Sequence, residues 1–341
     1  MSAGKKVNIG IVGLGYWGPN LVRNFSEVDS CYVAMACDSE KARLKLIKRR
    51  YPYIDVTTKY KDLVDAKEID AIAIATPVVS HYELAKQALE NGKHVLVEKP
   101  LCANVKEAEG LIKAARSHGK VLMVDHTFLY TGSVRKAKEL ISKGGLGELY
   151  YFDSVRINLG LFRSDVNVIW DLAPHDISIA QYLIEEDPIS VSVLGRDFNN
   201  NNIACIAYMT LRYKSGIIAH IHVSWLSPVK IRRIIIGGSR RMIIYDDVEP
   251  TEKIRVYDSG IEFDYSQENP LQPTYRLGDI YLPRLDQREA LLVEAEHFVD
   301  CILNGKKPLT DATFGLAVLK VLEASDTSLR EGGREVVLSR D

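Results

Sequence analysis

The feature that most constrains the fold of this chain is the stretch "VNIGIVGLGYWGPNLVRNF" at residues 7–25. An apolar run with strand character leads into Gly13, Gly15 and Gly18, spaced GxGxxG, and a helical pattern follows. In this context Gly13 permits a tight turn, Gly15 lets the backbone approach a pyrophosphate, and Gly18 allows close packing of helix on strand. The N–H groups of the first helical turn would then face the phosphates. The stretch therefore predicts a dinucleotide-binding βαβ unit.

The second strand pattern of the chain, "CYVAMACD", ends at Asp38, about 20 residues beyond the last glycine, where such units carry an acidic residue. A carboxylate at this point accepts hydrogen bonds from the adenosine ribose and repels a 2′-phosphate, so the sequence favours NAD. The basic stretch "SEKARLKLIKRR" follows, and either Lys41 or Arg43 would suit a 2′-phosphate. The use of NADP therefore stays open.

The periodicity of the chain changes between its first third and the remainder. Up to about Asp125, apolar runs alternate with amphipathic stretches, which is typical of a doubly wound parallel sheet. After Gly132, period-two strands joined by short turns, such as "NNNN" at residues 199–202, predict a mostly antiparallel sheet. We predict an α/β Rossmann domain over residues 1–125 and an α+β domain with an open-faced sheet over residues 126–341, with the C-terminal helix free to pack back on the first domain. Residues 265–287 contain three prolines and are predicted to form a long surface loop.

Composition excludes several classes of protein. The chain has 341 residues, with 44 Lys+Arg against 45 Asp+Glu, so no global charge attracts it to nucleic acid or to an anionic membrane. Its five cysteines are scattered and form no CxxC pair, which argues against a disulfide framework or a zinc cluster. No apolar run approaches the roughly 20 residues that a spanning helix needs. We therefore expect a soluble cytoplasmic protein with reduced cysteines.

Two apolar strands of the first domain end in residues that suit a binding site or a catalytic site. "AIAIATP" ends at Thr76 and Pro77, and "HVLVEKP" ends at Glu98 and Lys99. In an open parallel sheet the ligand crevice lies beyond the carboxyl ends of the strands, so these residues are predicted to face the nicotinamide. Partial burial there would lower the pKa of Lys99 and ease proton exchange near neutrality. The alternative for Lys99 is an exposed strand-end lysine.

Residues 168–179, "VIWDLAPHDISI", place Asp171 and His175 one helical turn apart on one face of a predicted helix. We place Pro174 in the first turn of this helix, where its missing N–H costs nothing. An N-terminal capping residue and a core histidine are the structural alternative for Asp171 and His175. Asp176 points elsewhere on the helix and is predicted to be structural.

These motifs together resemble the glucose-fructose oxidoreductase / inositol dehydrogenase / MocA family. The resemblance extends over essentially the whole chain, from "GLGYWG", "ATP" with His81 and "EKP" to "GGLGELYYF" and the Asp171-to-His175 segment. It implies an NAD(P)-dependent oxidoreductase acting on CH–OH groups, with a cis Lys99–Pro100 bond. It also implies that His175 is the general base, that Asp171 bonds the substrate or orients the imidazole, and that Lys99 polarises the reacting oxygen.

The resemblance and the motifs together define a predicted site. The predicted cofactor-binding residues are Gly13, Gly15, Tyr16, Trp17, Gly18, Asp38, Thr76, Pro77, His81, Glu98 and Lys99. The predicted substrate-binding residues are Lys99, His126, Tyr130, Arg156, Asn158, Arg163, Asp171 and His175.

The resemblance implies that the substrate is a sugar, most specifically a UDP-linked N-acetylhexosamine oxidised at C3, because "HTFLY" and "NVIWDLAPHDISI" look like family members that modify nucleotide sugars. Arg163 would suit the diphosphate of such a substrate. A free-sugar or inositol dehydrogenase is the first alternative, and a non-catalytic NAD(P)-sensing regulator is the second. An exposed sheet face in the second domain would need a cover, so we expect a homodimer or homotetramer. No metal, nucleic acid or membrane partner is expected.

Overall fold

A computed structural model describes residues 6–160, 163, 166–198, 203–263 and 273–338 of the chain. The turn predicted at residues 199–202 lies outside these residues. The chain divides into two compact units. The first consists of Met1–Tyr130 and Arg288–Leu319, and the second of Thr131–Gln287 and Lys320–Asp341.

The first unit is built on a parallel sheet. Its elements in chain order are β1 (Val7–Val12), α1 (Gly18–Glu27), β2 (Cys31–Cys37), α2 (Lys41–Arg50), β3 (Asp55–Thr57), α3 (Tyr60–Asp65), β4 (Ala71–Ile74), α4 (His81–Glu90), β5 (His94–Glu98), α5 (Val105–Ser117) and β6 (Leu122–Asp125). The six strands lie in the order β3-β2-β1-β4-β5-β6, and every adjacent pair is parallel. The strand order reverses between β1 and β4, which is the point where open sheets of this kind bind their ligands.

The remaining elements follow β6. They are α6 (Gly132–Ser142), β7 (Leu149–Leu159), α7 (Val168–Ile184), β8 (Ser190–Arg196), β9 (Ile206–Arg212), β10 (Ile218–Ser224), β11 (Leu226–Gly238), β12 (Met242–Asp246), β13 (Ile254–Tyr257), β14 (Gly260–Phe263), β15 (Pro273–Arg276), β16 (Ile280–Tyr281), α8 (Ala290–Asn304), α9 (Ala312–Arg330) and β17 (Val336–Val337). Of these, α8 belongs to the first unit, and the boundary between the units falls within α9.

The second unit is built on a nine-stranded sheet. Its order is β16-β13-β12-β11-β7-β10-β9-β8-β17. Neighbouring strands are antiparallel except for β7 and β10, which run parallel. The mostly antiparallel sheet predicted from the sequence is thus confirmed. The expected loop at residues 265–287 is wrong for its described part, because β15 pairs with β14 and β16 pairs with β13.

One face of this sheet is buried and the other is open. On β10, Ala219, Ile221 and Val223 are fully buried on the face that α7 packs against, whereas Ile218 on the opposite face is half exposed. This alternation is the one expected for a strand with a single buried face.

All five cysteines are buried, and none of them forms a disulfide. No helix in the described ranges combines the length and the apolar character required to cross a membrane.

Candidate active site

Two glycines of the GxGxxG loop are required by the fold itself. Gly13 has a φ of +88°, and a Cβ there would lie 2.5 Å from the carbonyl oxygen of Ala75. A Cβ on Gly18 would lie 1.9 Å from the carbonyl oxygen of Gly13. Because real Cβ atoms do not approach backbone so closely, both positions need glycine before any ligand is considered.

Gly15 differs from its two neighbours in the motif. A Cβ at this position would meet only Nη1 of Arg43, at 3.7 Å, so packing within the protein does not explain the glycine. The neighbouring rings of Tyr16 and Trp17 are 83% and 45% exposed. No side chain among the described residues caps the N-terminus of α1, which follows directly. A free backbone surface next to an uncapped helix N-terminus fits the pyrophosphate of a dinucleotide.

Asp38 supports the glycine loop from the end of β2. Its Oδ2 accepts a 2.6 Å hydrogen bond from the Leu14 N–H, and its Oδ1 accepts one of 2.8 Å from the Glu40 N–H. Because Oδ1 accepts only the Glu40 bond among those described, its second lone pair can still accept from a ribose hydroxyl.

Arg43 lies beside this carboxylate. Its Nη1 is 3.4 Å from Oδ2 of Asp38, and its Nη2 is 2.8 Å from Oε1 of Glu40. Two carboxylates therefore face one guanidinium, and the local charge does not favour an added 2′-phosphate.

His81 is buried, and both of its ring nitrogens contact backbone carbonyl groups. It is 1% exposed, with Nδ1 2.9 Å from the carbonyl oxygen of Pro100 and Nε2 2.8 Å from that of Thr76. Burial lowers the pKa of His81, whereas the carbonyl contacts act in the opposite direction. Because both ring nitrogens contact backbone, His81 joins the two loops that follow β4 and β5. Its predicted contact with the cofactor stays a prediction.

The segment after β5 holds the predicted catalytic lysine. The Lys99–Pro100 bond is cis, as the family resemblance implied. Lys99 is half-buried, and its backbone N–H donates a 3.2 Å hydrogen bond to Oε2 of Glu98. Glu98 is the register partner of Asp125 on β6, and the two carboxyl groups are in contact. Burial, and then the charge of Asp125, raise the pKa of Glu98 well above its usual range.

Thr76 and Pro77 follow β4 in the same unit. The side chain of Thr76 is half-buried and accepts a 2.7 Å hydrogen bond from the Ser80 hydroxyl, whereas Pro77 is exposed. The contact of these two residues with the cofactor stays a prediction.

Two predicted substrate contacts at the end of β6 are enclosed in the protein. His126 is 1% exposed and packs edge-on against Phe314, and burial followed by the charge of Lys99 lowers its pKa to about 3. Tyr130 is 4% exposed, and its hydroxyl lies 3.2 Å from Oγ1 of Thr310. The burial of both side chains does not fit the predicted substrate contact.

The helix α7 begins earlier than predicted. Asn167 caps it, accepting hydrogen bonds of 3.0 and 3.2 Å from the N–H groups of Ile169 and Trp170. Pro174 consequently lies inside the helix rather than in its first turn, which corrects the sequence-based placement. The cap is itself anchored, because Asp326 accepts hydrogen bonds from the side chains of Asn167, at 2.8 Å, and Trp170, at 2.7 Å.

Asp171 and His175 lie one turn apart on α7, as the sequence predicted. Both are half-buried, whereas Ala173, Pro174 and Asp176 between and beside them are buried. The helix thus presents a carboxylate and an imidazole through an otherwise apolar surface.

Trp225 holds the carboxylate of Asp171, and sequence reasoning missed it. Its indole Nε1 donates a 2.9 Å hydrogen bond to Oδ2 of Asp171. The indole is 1% exposed, and a Cβ on Gly160 would lie 2.6 Å from its Cδ1. Arg163 is exposed, with Nη1 3.7 Å from Oδ1 of Asp171, so the structure brings this predicted substrate contact close to Asp171.

Arg156 and Asp176 form a buried pair. Arg156 is 2% exposed, and its Nε and Nη2 donate hydrogen bonds of 2.7 and 3.1 Å to the two carboxylate oxygens of Asp176. Ser154 donates a third, of 2.7 Å. The predicted substrate contact of Arg156 does not fit this burial, while the structural role predicted for Asp176 does. Asn158, two residues further along β7, is half-buried.

Comparison with known proteins extends these observations. Residues 7–126 match the family model described as "Oxidoreductase family, NAD-binding Rossmann fold", and residues 134–244 match the "GFO/IDH/MocA C-terminal domain". The UDP-N-acetylglucosamine 3-dehydrogenase of Acidithiobacillus ferrooxidans is 26% identical over 91% of this chain and 93% of its own. The scyllo-inositol 2-dehydrogenase (NAD(+)) of Bacillus subtilis is 25% identical over 96% and 95%.

The fold also matches that of solved structures. GenD2 from gentamicin A biosynthesis, in complex with NAD, aligns over 100% of this chain and 98% of its own, with a TM-score of 0.84 and 20% identity. These matches confirm the predicted fold class, and the family models confirm the prediction of an NAD-dependent oxidoreductase.

Proposed function

Because the chain belongs to the GFO/IDH/MocA family of oxidoreductases, we propose that it oxidises a secondary alcohol of a sugar, specifically C3 of a UDP-linked N-acetylhexosamine or a related nucleotide sugar. The observation that carries the proposal is the presentation of Asp171 and His175 on α7. Asp171 is held there by the indole of buried Trp225. A half-buried histidine beside a fixed carboxylate suits a general base.

The proposed chemistry assigns one role to each residue. His175 takes the hydroxyl proton of the substrate as the hydride leaves the same carbon, and Asp171 orients the imidazole or accepts a hydrogen bond from the sugar. The ammonium group of Lys99 holds the reacting oxygen and stabilises its developing negative charge. When bound in the first unit, NAD would supply the hydride acceptor. The glycine loop, with Gly15 as the point of closest approach, would hold its pyrophosphate, and Asp38 its ribose.

The proposed substrate class rests on the positive charge of Arg163 near Asp171. Relatives with names that refer to a nucleotide sugar and to an inositol are 26% and 25% identical, so identity alone does not separate the two classes. Arg163 is exposed and lies near Asp171, which supplies a cation that a neutral inositol does not need. A guanidinium at this position supports a diphosphate-linked sugar.

Self-association through the open face of the nine-stranded sheet is part of the proposal. That face carries Leu194, Tyr208 and Ile218, which are 60%, 45% and 50% exposed. Tyr208 stacks on His222 with ring centroids 4.3 Å apart. Flat, partly apolar sheet faces of this kind support homodimers or homotetramers. Light scattering of wild type and Tyr208→Glu tests this, and an unchanged mass would argue against this face.

The test of the reaction is NADH formation with UDP-N-acetylglucosamine, its uronate, free hexoses and inositols. Turnover restricted to nucleotide sugars, with competition by UDP, supports the proposal. Turnover on inositols alone would overturn the substrate class. Lys99→Ala and His175→Ala should each lose most of the turnover, and His118→Ala, which changes an exposed histidine at the end of α5, is the matched control. Full activity of either active-site variant would remove that residue from the mechanism.

A further inference from the structure

Three carboxyl groups meet in the first unit, next to Lys99. Glu98 ends β5, Asp125 ends β6, and Glu294 lies on α8, which packs against the 3₁₀ turn Thr127–Tyr130. Asp125 is 2% exposed and Glu294 is 0% exposed. Asp125 is the shared neighbour, since both glutamates contact its carboxyl group. Among the described residues, no group of acidic, histidine or cysteine side chains has an arrangement that would hold a metal ion.

The residues around this cluster supply fewer hydrogen-bond donors than the carboxyl groups have acceptor oxygens. The hydroxyl of Thr127 donates to Oδ1 of Asp125. Within the described chain, neither Oδ2 of Asp125 nor either carboxyl oxygen of Glu294 has a donor in full hydrogen-bond geometry, although the Thr127 hydroxyl lies near enough to Glu294 to lower its pKa against the effect of burial. Two buried carboxylates in contact without a donor would repel each other at a high energetic cost. A proton on one of them removes that repulsion and supplies an O–H donor.

We infer that Glu294 is a positioning residue which enters this cluster as a neutral acid, donates an O–H hydrogen bond to the Asp125 carboxylate, and thereby keeps the cluster's negative charge away from Lys99. Asp125 then also accepts from neutral Glu98. Burial, and then the charge of Asp125, raise the pKa of Glu294 well above its usual range, which agrees with this state. The inference rests on the proposed function for one point, that the charge of Lys99 matters to the reaction.

The titratable groups that face Glu294 are Asp125 from β6, Glu98 from β5 and the phenol of Tyr130 from the turn between them. The charge of Lys99 acts on Glu98 and on His126, and burial keeps His126 neutral. Loss of the Glu294 proton donor therefore leaves Asp125 less stabilised as an anion. Negative charge shifts to Glu98, next to Lys99, and the pKa of Lys99 rises.

Infrared spectroscopy tests the protonation state directly. Wild type at neutral pH should show a protonated-carboxyl C=O band that Glu294→Gln lacks, because glutamine reproduces the neutral acid as a donor to Asp125. If no band is lost, Glu294 is ionised and the inference is overturned.

Carbon-13 NMR of Cε-labelled lysine tests the coupling, with the Lys99 resonance assigned by Lys99→Met. Glu294→Leu should raise the pKa of Lys99 by about half a unit or more, and Glu294→Gln should leave it unchanged. If Glu294→Leu does not fold, Glu98→Gln decides the matter. A neutral Glu98 predicts an unchanged Lys99 pKa in that variant, and a fall would overturn the inference.

The NMR titration also separates the two proposals, because it needs no turnover. If Lys99→Met keeps full dehydrogenase activity, the proposed role of Lys99 fails. The infrared band and the NMR pKa values still decide the state of the carboxyl cluster.

Discussion

The indole Nε1 of Trp225 donates a 2.9 Å hydrogen bond to Oδ2 of Asp171, one turn before His175 on α7. Trp225→Phe keeps most of the ring but removes this donor. Because a hydrogen bond to a charged group contributes about 1.5–3 kcal/mol, we expect kcat/KM to fall by about tenfold or more. Steady-state kinetics across pH provide the measurement, and the variant should also change the limb of the pH profile that reports the base.

Trp170→Phe is the comparison variant, since it removes an indole bond to a different carboxylate, that of Asp326. That bond anchors the start of α7, so its loss should lower Tm. An equal effect of the two variants on the pH profile would contradict a specific role of Trp225 at Asp171.

Substitutions in the glycine loop should separate an effect on folding stability from an effect on cofactor binding. Gly15→Ala adds a Cβ that meets only Nη1 of Arg43, at 3.7 Å, so Tm should be unchanged while the Kd for NAD rises by about tenfold or more. Gly18→Ala places a Cβ 1.9 Å from the Gly13 carbonyl oxygen and should lower Tm by several degrees. Thermal melts and calorimetric titration with NAD measure both. Unchanged NAD affinity in Gly15→Ala would mean that the pyrophosphate does not approach this position.

Features encoded by local periodicity were predictable from the sequence, and those created by tertiary contacts were not. The glycine loop, the strand ends at Thr76 and Lys99, and the Asp171-to-His175 helix face all follow from spacing within one or two elements. Asp171 and Trp225 are 54 positions apart, and no sequence pattern near Asp171 indicates that Trp225 is its hydrogen-bond donor.

The wrong placements have the same origin. Arg156 alternates with outward-facing residues on β7, and only the packing of α7 on this sheet shows that it points inward to Asp176. Tyr130 follows a strand end, yet its hydroxyl meets Thr310, which lies 180 positions away. Pro174 was misplaced because the helix is capped by Asn167, before the apolar run begins.

Cofactor preference should depend on Arg43. Its guanidinium lies 3.4 Å from Asp38 and 2.8 Å from Glu40, which oppose a 2′-phosphate, yet it is the cation closest to Gly15. Arg43→Ala should therefore reduce kcat/KM for NADP by about tenfold and change that for NAD much less, since a cation–phosphate contact is lost only with NADP. Parallel assays with both cofactors measure the ratio. An equal fall for both would mean that Arg43 supports the loop rather than selecting the cofactor.

The buried acid on α8 should make stability depend on pH in a defined direction. Because the pKa of Glu294 is raised in the folded state, folding binds this proton more tightly than the unfolded chain does. The resulting stability is complete below the usual glutamate pKa of 4.5 and is lost as pH rises toward the folded-state value. Glu294→Gln removes this dependence. The difference in unfolding free energy, variant minus wild type, should therefore increase by about 1.4 kcal/mol per pH unit between pH 4.5 and the folded-state pKa of Glu294. Urea unfolding of both proteins at several pH values between about 5 and 7 measures it, and a difference that stays constant would show that Glu294 does not hold its proton in the folded protein.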